Sequence, residues 1–437
     1  MSVKVLHFAD AHIDIATGGR RDSKSGLSIR TLDFLKALDT IVDSAIDEKV
    51  DLVLFAGDAY RDSVPGPTFQ REWGRRMMRL AAAQIPTLMI AGNHDSSNSM
   101  GKASALQEYD TLLVPYLNLA RKIELWTPDR LDGVPVQVLT VPWIARARFV
   151  AMIQSQGKEV EDLNREILHE IEVEIENALK LMHPDLPLIL LAHYPVVGAV
   201  MANQQMVSLG SEVTLSKNLV QDPRITYTAL GHIHKFQDLN KGNQPPVIYP
   251  GSIERVNLGE IEDDKGFVIA TLENGTASYR FRKMEGRKFF SREIALIDQE
   301  SFNRLGQQDR KNKPYQVCEP QQMQELVLAQ LPNSDQLKDS ITRLIVHFPQ
   351  EWQSFLDERE IRKAAADALE FHLVLKPIVS PRIRLGVDSS INTLSHIELL
   401  KRYCESVNYE SSALPGLLET AAEVMKQVEN ANTDGLV

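Results

Sequence analysis

Cysteine is almost missing from this chain: 437 residues carry two, Cys318 and Cys404. They stand far apart and form no CxxC pair, so neither a disulfide framework nor a zinc ribbon is supported, and a reducing, cytoplasmic setting fits best. No apolar run approaches the length needed to span a membrane. The first apolar run ends at Asp10 without a small-residue cleavage site, so it does not read as a signal peptide. Positive charge is also short. Lys and Arg number 48 against 59 Asp and Glu, a net charge of −11. That balance argues against a protein that coats nucleic acid nonspecifically. It leaves room for an enzyme that meets a polyanion through local patches and metal ions. The candidate patches are Arg20-Arg21 with Lys24, Arg71 with Arg75 and Arg76, and Arg282-Lys283 with Arg287-Lys288. Each reads first as a solvated face. Repeats and low-complexity tracts are absent.

The chain does have five short polar motifs, each set just after an apolar, β-rich run. Asp10-Ala11-His12 follows Val3–Phe8, and Gly57-Asp58 follows Leu52–Ala56. Gly92-Asn93-His94-Asp95 follows Ile85–Ala91, His193 follows Leu186–Ala192, and Gly231-His232-Ile233-His234 follows Ile225–Leu230. Five strands would thus deliver Asp, Asn and His to loops at their carboxyl ends, where ligands bind in layered α/β folds. Oxygen and nitrogen donors without a thiolate suit a pair of divalent metals doing phosphoester hydrolysis. Asp10 and His12 alternate by two, as do His232 and His234, so each pair faces one side of an extended segment. Asp58 has two oxygens and could bridge two ions. His94 beside Asp95 suits a proton-transfer pair, a histidine with an orienting carboxylate. Taken singly, each motif could be a helix cap or a hydrogen-bonded core histidine. Five together make the dimetal reading the better one. His7, His169, His183, His347, His372 and His396 read as ordinary histidines, and Asp14 as a turn former.

Strands and helices alternate to about residue 275. Helices are expected near 31–48, 67–83 and 157–182 from their apolar spacing. Asn274-Gly275 between two strand-like runs signals a hairpin. A smaller α+β unit follows, with strands at Ile294–Ile297, Thr342–Phe348 and Phe371–Leu375 and helices near 320–331 and 354–370. The segment 379–393 reads as a linker. A helix pair ends the chain, with the stripe Leu414, Leu417, Leu418, Ala421, Val424, Met425 and Val428 at helical spacing.

The order D-x-H, G-D, G-N-H-D, H, G-H-x-H resembles the calcineurin-like metallophosphoesterase superfamily. A narrower resemblance is to the SbcD-type nuclease components of SbcCD complexes and their archaeal and eukaryotic break-repair relatives. It rests on Leu230-Gly-His-Ile-His-Lys235, Tyr249-Pro-Gly-Ser-Ile-Glu-Arg255, Asp264-Lys-Gly-Phe267 and Ala192-His-Tyr-Pro-Val196. The resemblance implies an α/β fold: a β-sandwich flanked by helices (1–280), a small α+β capping domain (281–378) that binds DNA, a linker (379–393) and a C-terminal helix pair (394–437). It implies one metal on Asp10, His12, Asp58 and His234, and another on Asp58, Asn93, His193 and His232, with His94 catalytic. Mn²⁺ is the implied metal, with Mg²⁺ possible. The implied activity is DNA cleavage, as a 3′-to-5′ exonuclease on duplex ends and an endonuclease on single strands. The implied partners are a second copy of the chain and an SbcC-like coiled-coil P-loop ATPase gripped by the C-terminal helices. The stripe Phe69, Trp73, Met77 and Leu80 falls where the family dimerises, or packs on its own sheet.

One position departs from the family pattern. Several members carry a histidine three residues after the G-D aspartate, where this chain has Arg61. Arginine stays charged and cannot act as a general acid, but it could clamp a phosphate. The balance between exonuclease and endonuclease action is open on this ground. Two other readings remain at this point: a phosphatase or cyclic-nucleotide phosphodiesterase of the same fold, and a non-catalytic component of an ATPase complex.

Overall fold

The computed structural model describes residues 2–16, 19–96, 103–144, 160–201, 205–208, 212–306, 310–378, 395–406 and 414–433. The expected linker at 379–393 lies outside them. The described part of the chain divides into two compact units. One comprises Met1–Arg292, Leu331–Leu344 and Arg362–His372, and the other Glu293–Gln330, Ile345–Ile361 and Leu373–Val437.

The first unit is built on two six-stranded sheets. One contains β1 (Ser2–Phe8), β2 (Leu52–Phe55), β3 (Thr87–Ile90), β4 (Leu117–Ala120), β11 (Gly266–Glu273) and β12 (Thr276–Lys283), in the order β12-β11-β1-β2-β3-β4. The other contains β5 (Glu124–Trp126), β6 (Gln137–Val141), β7 (Leu188–His193), β8 (Tyr227–Gly231), β9 (Gln237–Asp238) and β10 (Val247–Tyr249), in the order β5-β6-β7-β8-β10-β9. β1 to β4 run parallel, as do β6, β7 and β8. Their carboxyl ends therefore emerge together.

The alternation of side chains explains why these strands read as unbroken apolar runs. Val3, Val5, Leu52, Leu54, Leu88 and Ile90 meet Val138, Ile189, Leu191, Tyr227 and Ala229 between the sheets. On the opposite face of the first sheet, Leu6, Phe8, Val53, Phe55 and Met89 meet α1 (Ile29–Asp47) and α2 (Pro67–Ala82). On the opposite face of the second, Leu139, Leu190 and Ala192 meet the helix Val160–Leu179. Strands buried on both faces need apolar residues at every position. His7 is the exception among them. It is fully buried between the sheets, with Nδ1 3.1 Å from the Tyr227 hydroxyl and Nε2 3.2 Å from the Leu230 carbonyl. Burial pushes it down to about 3, so it stays neutral, the ordinary core histidine expected.

Ser28 caps α1 by accepting from the Thr31 amide. The Asn274-Gly275 hairpin forms between β11 and β12, with both residues at positive φ as a two-residue turn requires. Beyond it, β13 (Phe289–Ile297), β14 (Tyr315–Val317), β15 (Ile341–Pro349) and β16 (Glu370–Ile378) make a third sheet in the order β14-β13-β15-β16. The helices expected near 320–331 and 354–370 are shorter, Met323–Leu328 and Glu358–Ala364, each preceded by a 3-10 turn. The final helices, His396–Ser406 and Leu414–Thr433, pack on each other. No described helix is long and apolar enough to cross a membrane.

Trp73, Met77 and Leu80 on α2 are buried in the chain's own core, so that stripe packs on its own sheet. Trp73 contacts Phe8, Phe55 and Tyr60 at ring-centroid distances of 6.4, 4.9 and 6.0 Å. Trp73→Ala should cost about 3–5 kcal/mol through lost burial and the cavity left behind. Urea denaturation of the variant checks this, and an unchanged midpoint would contradict the packing described.

Candidate metal centre

The five strand ends converge in the first unit. β1 supplies Asp10 and His12, β2 supplies Asp58, and β3 supplies Asn93, His94 and Asp95. β7 supplies His193, and β8 supplies His232 and His234. The loops after β1 and β2 zip together, since Gly57 and Asp58 carbonyls accept from the Asp10 and Ala11 amides at 2.9 and 2.8 Å. Four of these residues sit at positive φ: Asp10 at 51°, His12 at 38°, Asp58 at 62° and His232 at 98°. Such backbones cost on the order of 1–3 kcal/mol each and persist only where their surroundings hold them. Gly57 and Gly92 let the loops approach, because a Cβ on Gly92 would run into the Asp58 carboxylate.

Three histidines share one design. Nδ1 of His12 points at the Tyr60 carbonyl (3.2 Å), Nδ1 of His193 at the Ala56 carbonyl (2.6 Å) and Nδ1 of His234 at the Glu260 carboxylate (3.0 Å). With Nδ1–H committed to these acceptors, each Nε2 turns into one small space. His12 and His234 bring their Nε2 atoms to 3.1 Å of each other. Nε2 of His193 lies 3.3 Å from Asp58 Oδ2 and 3.0 Å from Asn93 Oδ1, and His12 Nε2 lies 3.7 Å from the same Asp58 oxygen. Asp10 Oδ1 is 3.9 Å from His234 Nε2, and Nδ1 of His232 is 3.0 Å from Asn93 Oδ1. Two sets of donor atoms are close enough to share an ion: Asp10 with His12 and His234, and Asp10 with Asp58 and His193. Imidazole nitrogens and carboxylate oxygens held by outer hydrogen bonds fit divalent cations.

The charges reinforce that fit. Burial pushes His12 down to about 3 and raises the Asp10 carboxyl. Burial also works against the charged forms of His193 and Asp58, but their mutual attraction outweighs it. His193 is pushed up to about 9 and the Asp58 carboxyl is held well below the usual carboxylate range. Burial likewise opposes a charge on His234, and the hydrogen bond to Glu260 reverses this and raises it. A cation would therefore compete with the proton on His193.

The structure places His94 and Asp95 differently from the pair expected. The Asp95 carboxylate is fully buried and accepts from the amides of Asp58 (2.8 Å), Ala59 (3.0 Å), Tyr60 (3.3 Å) and Gly92 (3.1 Å). It holds backbone, and burial followed by the nearby Asp58 charge pushes it up to about 7. His94 is oriented instead by the Arg61 carbonyl, 2.6 Å from Nδ1, and its ring packs edge-on against His12 with centroids 5.1 Å apart. It is the exposed histidine at the rim. The Arg61 guanidinium, half exposed, lies 3.4 Å from Asp62. Asp14 is buried and accepts from the Arg61 amide at 2.6 Å, so its side chain ties the loop after β1 to the loop after β2 and does not serve the local turn expected.

A supporting cluster escaped the sequence reading as function, although Ser252 and Lys265 lie in segments that carried the resemblance. Glu260 and Lys265 are buried and paired at 2.8 Å. Lys265 also donates to the His234 carbonyl (2.8 Å) and to Ser252 Oγ (2.9 Å). Glu260 accepts from the Val256 amide at 3.0 Å. The stretch Glu254–Lys265 is strongly charged throughout, so nothing in the sequence set these two residues apart from their neighbours. Of the basic patches, the second is neutralised by Glu72 and Asp39, and in the third Arg282 pairs with Glu48, Lys283 with Asp264 and Arg287 with Asp33.

Parallel strands that end in Asp, Asn and His loops on one edge of a two-sheet sandwich define a phosphoesterase-type metal site. The family model described as Calcineurin-like phosphoesterase matches residues 3–236, and the chain belongs to that family. The chain is 27% identical over 281 residues to the D subunit of nuclease SbcCD from Escherichia coli K12, covering 62% of this chain and 66% of that one. It is 26% identical over 281 residues to the protein of the same name in Bacillus subtilis, covering 62% and 67%. It is 26% identical over 258 residues to DNA double-strand break repair protein Mre11 of Archaeoglobus fulgidus, covering 59% and 52%. The chain thus spans between half and two thirds of the length of these curated relatives.

Glu260→Ala should weaken Mn²⁺ binding about 10–100-fold by freeing the His234 ring. It should also destabilise the fold by about 3–5 kcal/mol, because Lys265 is left buried without its partner. Calorimetric titration with Mn²⁺ and urea denaturation check the two effects, and unchanged metal affinity would contradict the orienting role.

Proposed function

We propose that the chain is a metal-dependent DNA nuclease of the SbcD and Mre11 type. The observation that carries this is the turning of three Nε2 atoms, two carboxylates and one amide oxygen into one space by fixed outer hydrogen bonds. One ion would be held by Asp10, His12, Asp58 and His234, the other by Asp58, Asn93, His193 and His232. When bound, the ions supply Lewis-acid polarisation of the phosphodiester and an activated water, with Mn²⁺ the metal expected. The chain's own residues do the rest. Asp58 and Asp10 set the charge of the site, and Asp95 fixes the loop that aims Asp58. His94, oriented through Nδ1, has its Nε2 available at the exposed rim to give a proton to the leaving oxygen. Arg61 holds His94 through its carbonyl and can contact a phosphate with its guanidinium.

The similarity to the SbcCD nuclease chain and to Mre11 supports DNA as substrate, and a coiled-coil ATPase and a second copy of the chain as partners. On the helix Leu414–Thr433, Leu414, Leu417, Leu418 and Ala421 are only half buried and Val424 is 53% exposed, which suits a stripe kept for a partner. Met78, Leu112 and Leu113 are exposed apolar residues near α2, available for pairing of two copies. The capping region after β12 would guide DNA.

Purified protein with Mn²⁺ should cleave end-labelled duplex and single-stranded DNA. Asp58→Asn and His94→Gln should lose activity by at least about 10²-fold. Hydrolysis of a phosphomonoester with neither DNA cleaved would overturn the nuclease reading, and full activity in His94→Gln would remove its role. Deleting residues from 395 onward should abolish co-purification with a coiled-coil ATPase while leaving Mn²⁺ binding intact. Retained co-purification would refute that docking site.

A further inference from the structure

Four of the five site histidines have a ring nitrogen on a fixed acceptor within hydrogen-bond distance: His12 on Tyr60, His193 on Ala56, His234 on Glu260 and His94 on Arg61. His232 differs. Its Nδ1 faces Asn93, itself a proposed ligand, and its Nε2 lies 3.7 Å from Glu212, beyond a hydrogen bond. Its backbone, at φ 98°, is also the furthest of the site residues from ordinary geometry. Its ring meets the His193 ring edge-on, with centroids 5.4 Å apart, and on its face lies Trp143. The indole stacks on the imidazole with centroids 5.7 Å apart and planes 16° from parallel.

Trp143 is itself tied to the other two loops that would hold the same ion. Its amide donates to the Ala91 carbonyl at 3.0 Å, at the root of the Gly92–Asp95 loop. Its ring stacks on Tyr194, next to His193, with centroids 5.0 Å apart and planes 23° from parallel. The Tyr194 hydroxyl accepts from the Ile144 amide at 2.8 Å, which fixes the backbone on the far side of the indole. The Tyr194 carbonyl in turn accepts from the Tyr249 hydroxyl at 2.7 Å.

We propose that Trp143 is the positioning residue of the Asn93–His193–His232 half of the site, bracing the His193 and His232 loops with its aromatic plane and the Asn93 loop through its amide. It acts through His232 and does not touch the reacting atoms. Stacking takes the place that a hydrogen-bonded acceptor fills for the other histidines. This rests on the two-ion reading above. A consequence is that an ion held by His232 would have an indole stacked on one of its ligands, while the other tryptophans, Trp73, Trp126 and Trp352, stack on no site histidine among the described residues.

The test is a Mn²⁺ titration of the full chain, followed by calorimetry and by tryptophan emission, for wild type, Trp143→Leu and Trp143→Phe. Wild type should bind two ions, and one of the two steps should quench emission. Trp143→Leu should weaken one step about 10–100-fold and leave the other, and Trp143→Phe should recover most of that loss by keeping an aromatic plane. Both variants should lose the quench. If wild type binds two ions and Trp143→Leu binds them with unchanged affinity, the positioning role is overturned while the two-ion reading stands. If wild type fails to bind two ions, the two-ion reading fails and the proposal with it. Should Trp143→Leu not fold, the comparison of wild type with Trp143→Phe decides, since equal quenching in the two would overturn the proposal.

Discussion

The buried carboxylate of Asp95 gathers the amides of Asp58, Ala59, Tyr60 and Gly92, and the metal site depends on that gathering. Asp58 stands at a φ that non-glycine residues avoid, on a loop that backbone bonds join to the loop after β1. Hydrogen bonds each contribute about 0.5–1.5 kcal/mol net, so four to one buried acceptor together offset that strain. Asp58 in turn faces His12 and His193, which arrive from different sheets. One carboxylate therefore sets the aim of the residue that both proposed ions would share.

A second buried charge does the matching work on the other side. Glu260 and Lys265 neutralise each other, and between them they hold the ring and the backbone of His234. A buried pair of this kind contributes little net stability compared with apolar packing. Its value here lies in geometry, because it fixes which nitrogen of His234 is turned inward. Trp143 provides for His232 what Glu260 provides for His234, by stacking in place of hydrogen bonding. The site is thus held by outer contacts of three kinds: backbone carbonyls, a buried ion pair and an aromatic plane.

The sequence was most legible where covalent order and local chemistry decide. The parallel strands announced themselves as apolar runs because both faces are buried, and Asn274-Gly275 announced its hairpin because few other dipeptides tolerate two positive φ values. β4, β5 and β6 went unread. They are short, and β5 pairs only at an edge, so periodicity had little to work with. The helices of the later α+β region came out shorter than expected, since apolar spacing there continues through 3-10 turns.

Spacing alone determined that Asp, Asn and His would gather on loops at strand ends, because parallel strands put their carboxyl ends on one edge. It could not decide which neighbour each side chain would take. Asp95 sits next to His94 in the chain, yet it bonds to a loop more than thirty residues earlier, while the Arg61 carbonyl reaches back to orient His94. Glu260 and Trp143 carry no motif of their own, and Lys265 stands in one without a stated role; their roles exist only because the two sheets pack face to face and bring distant loops within hydrogen-bond or stacking distance. Residue type fixes what a side chain can donate or accept, and tertiary packing fixes to whom.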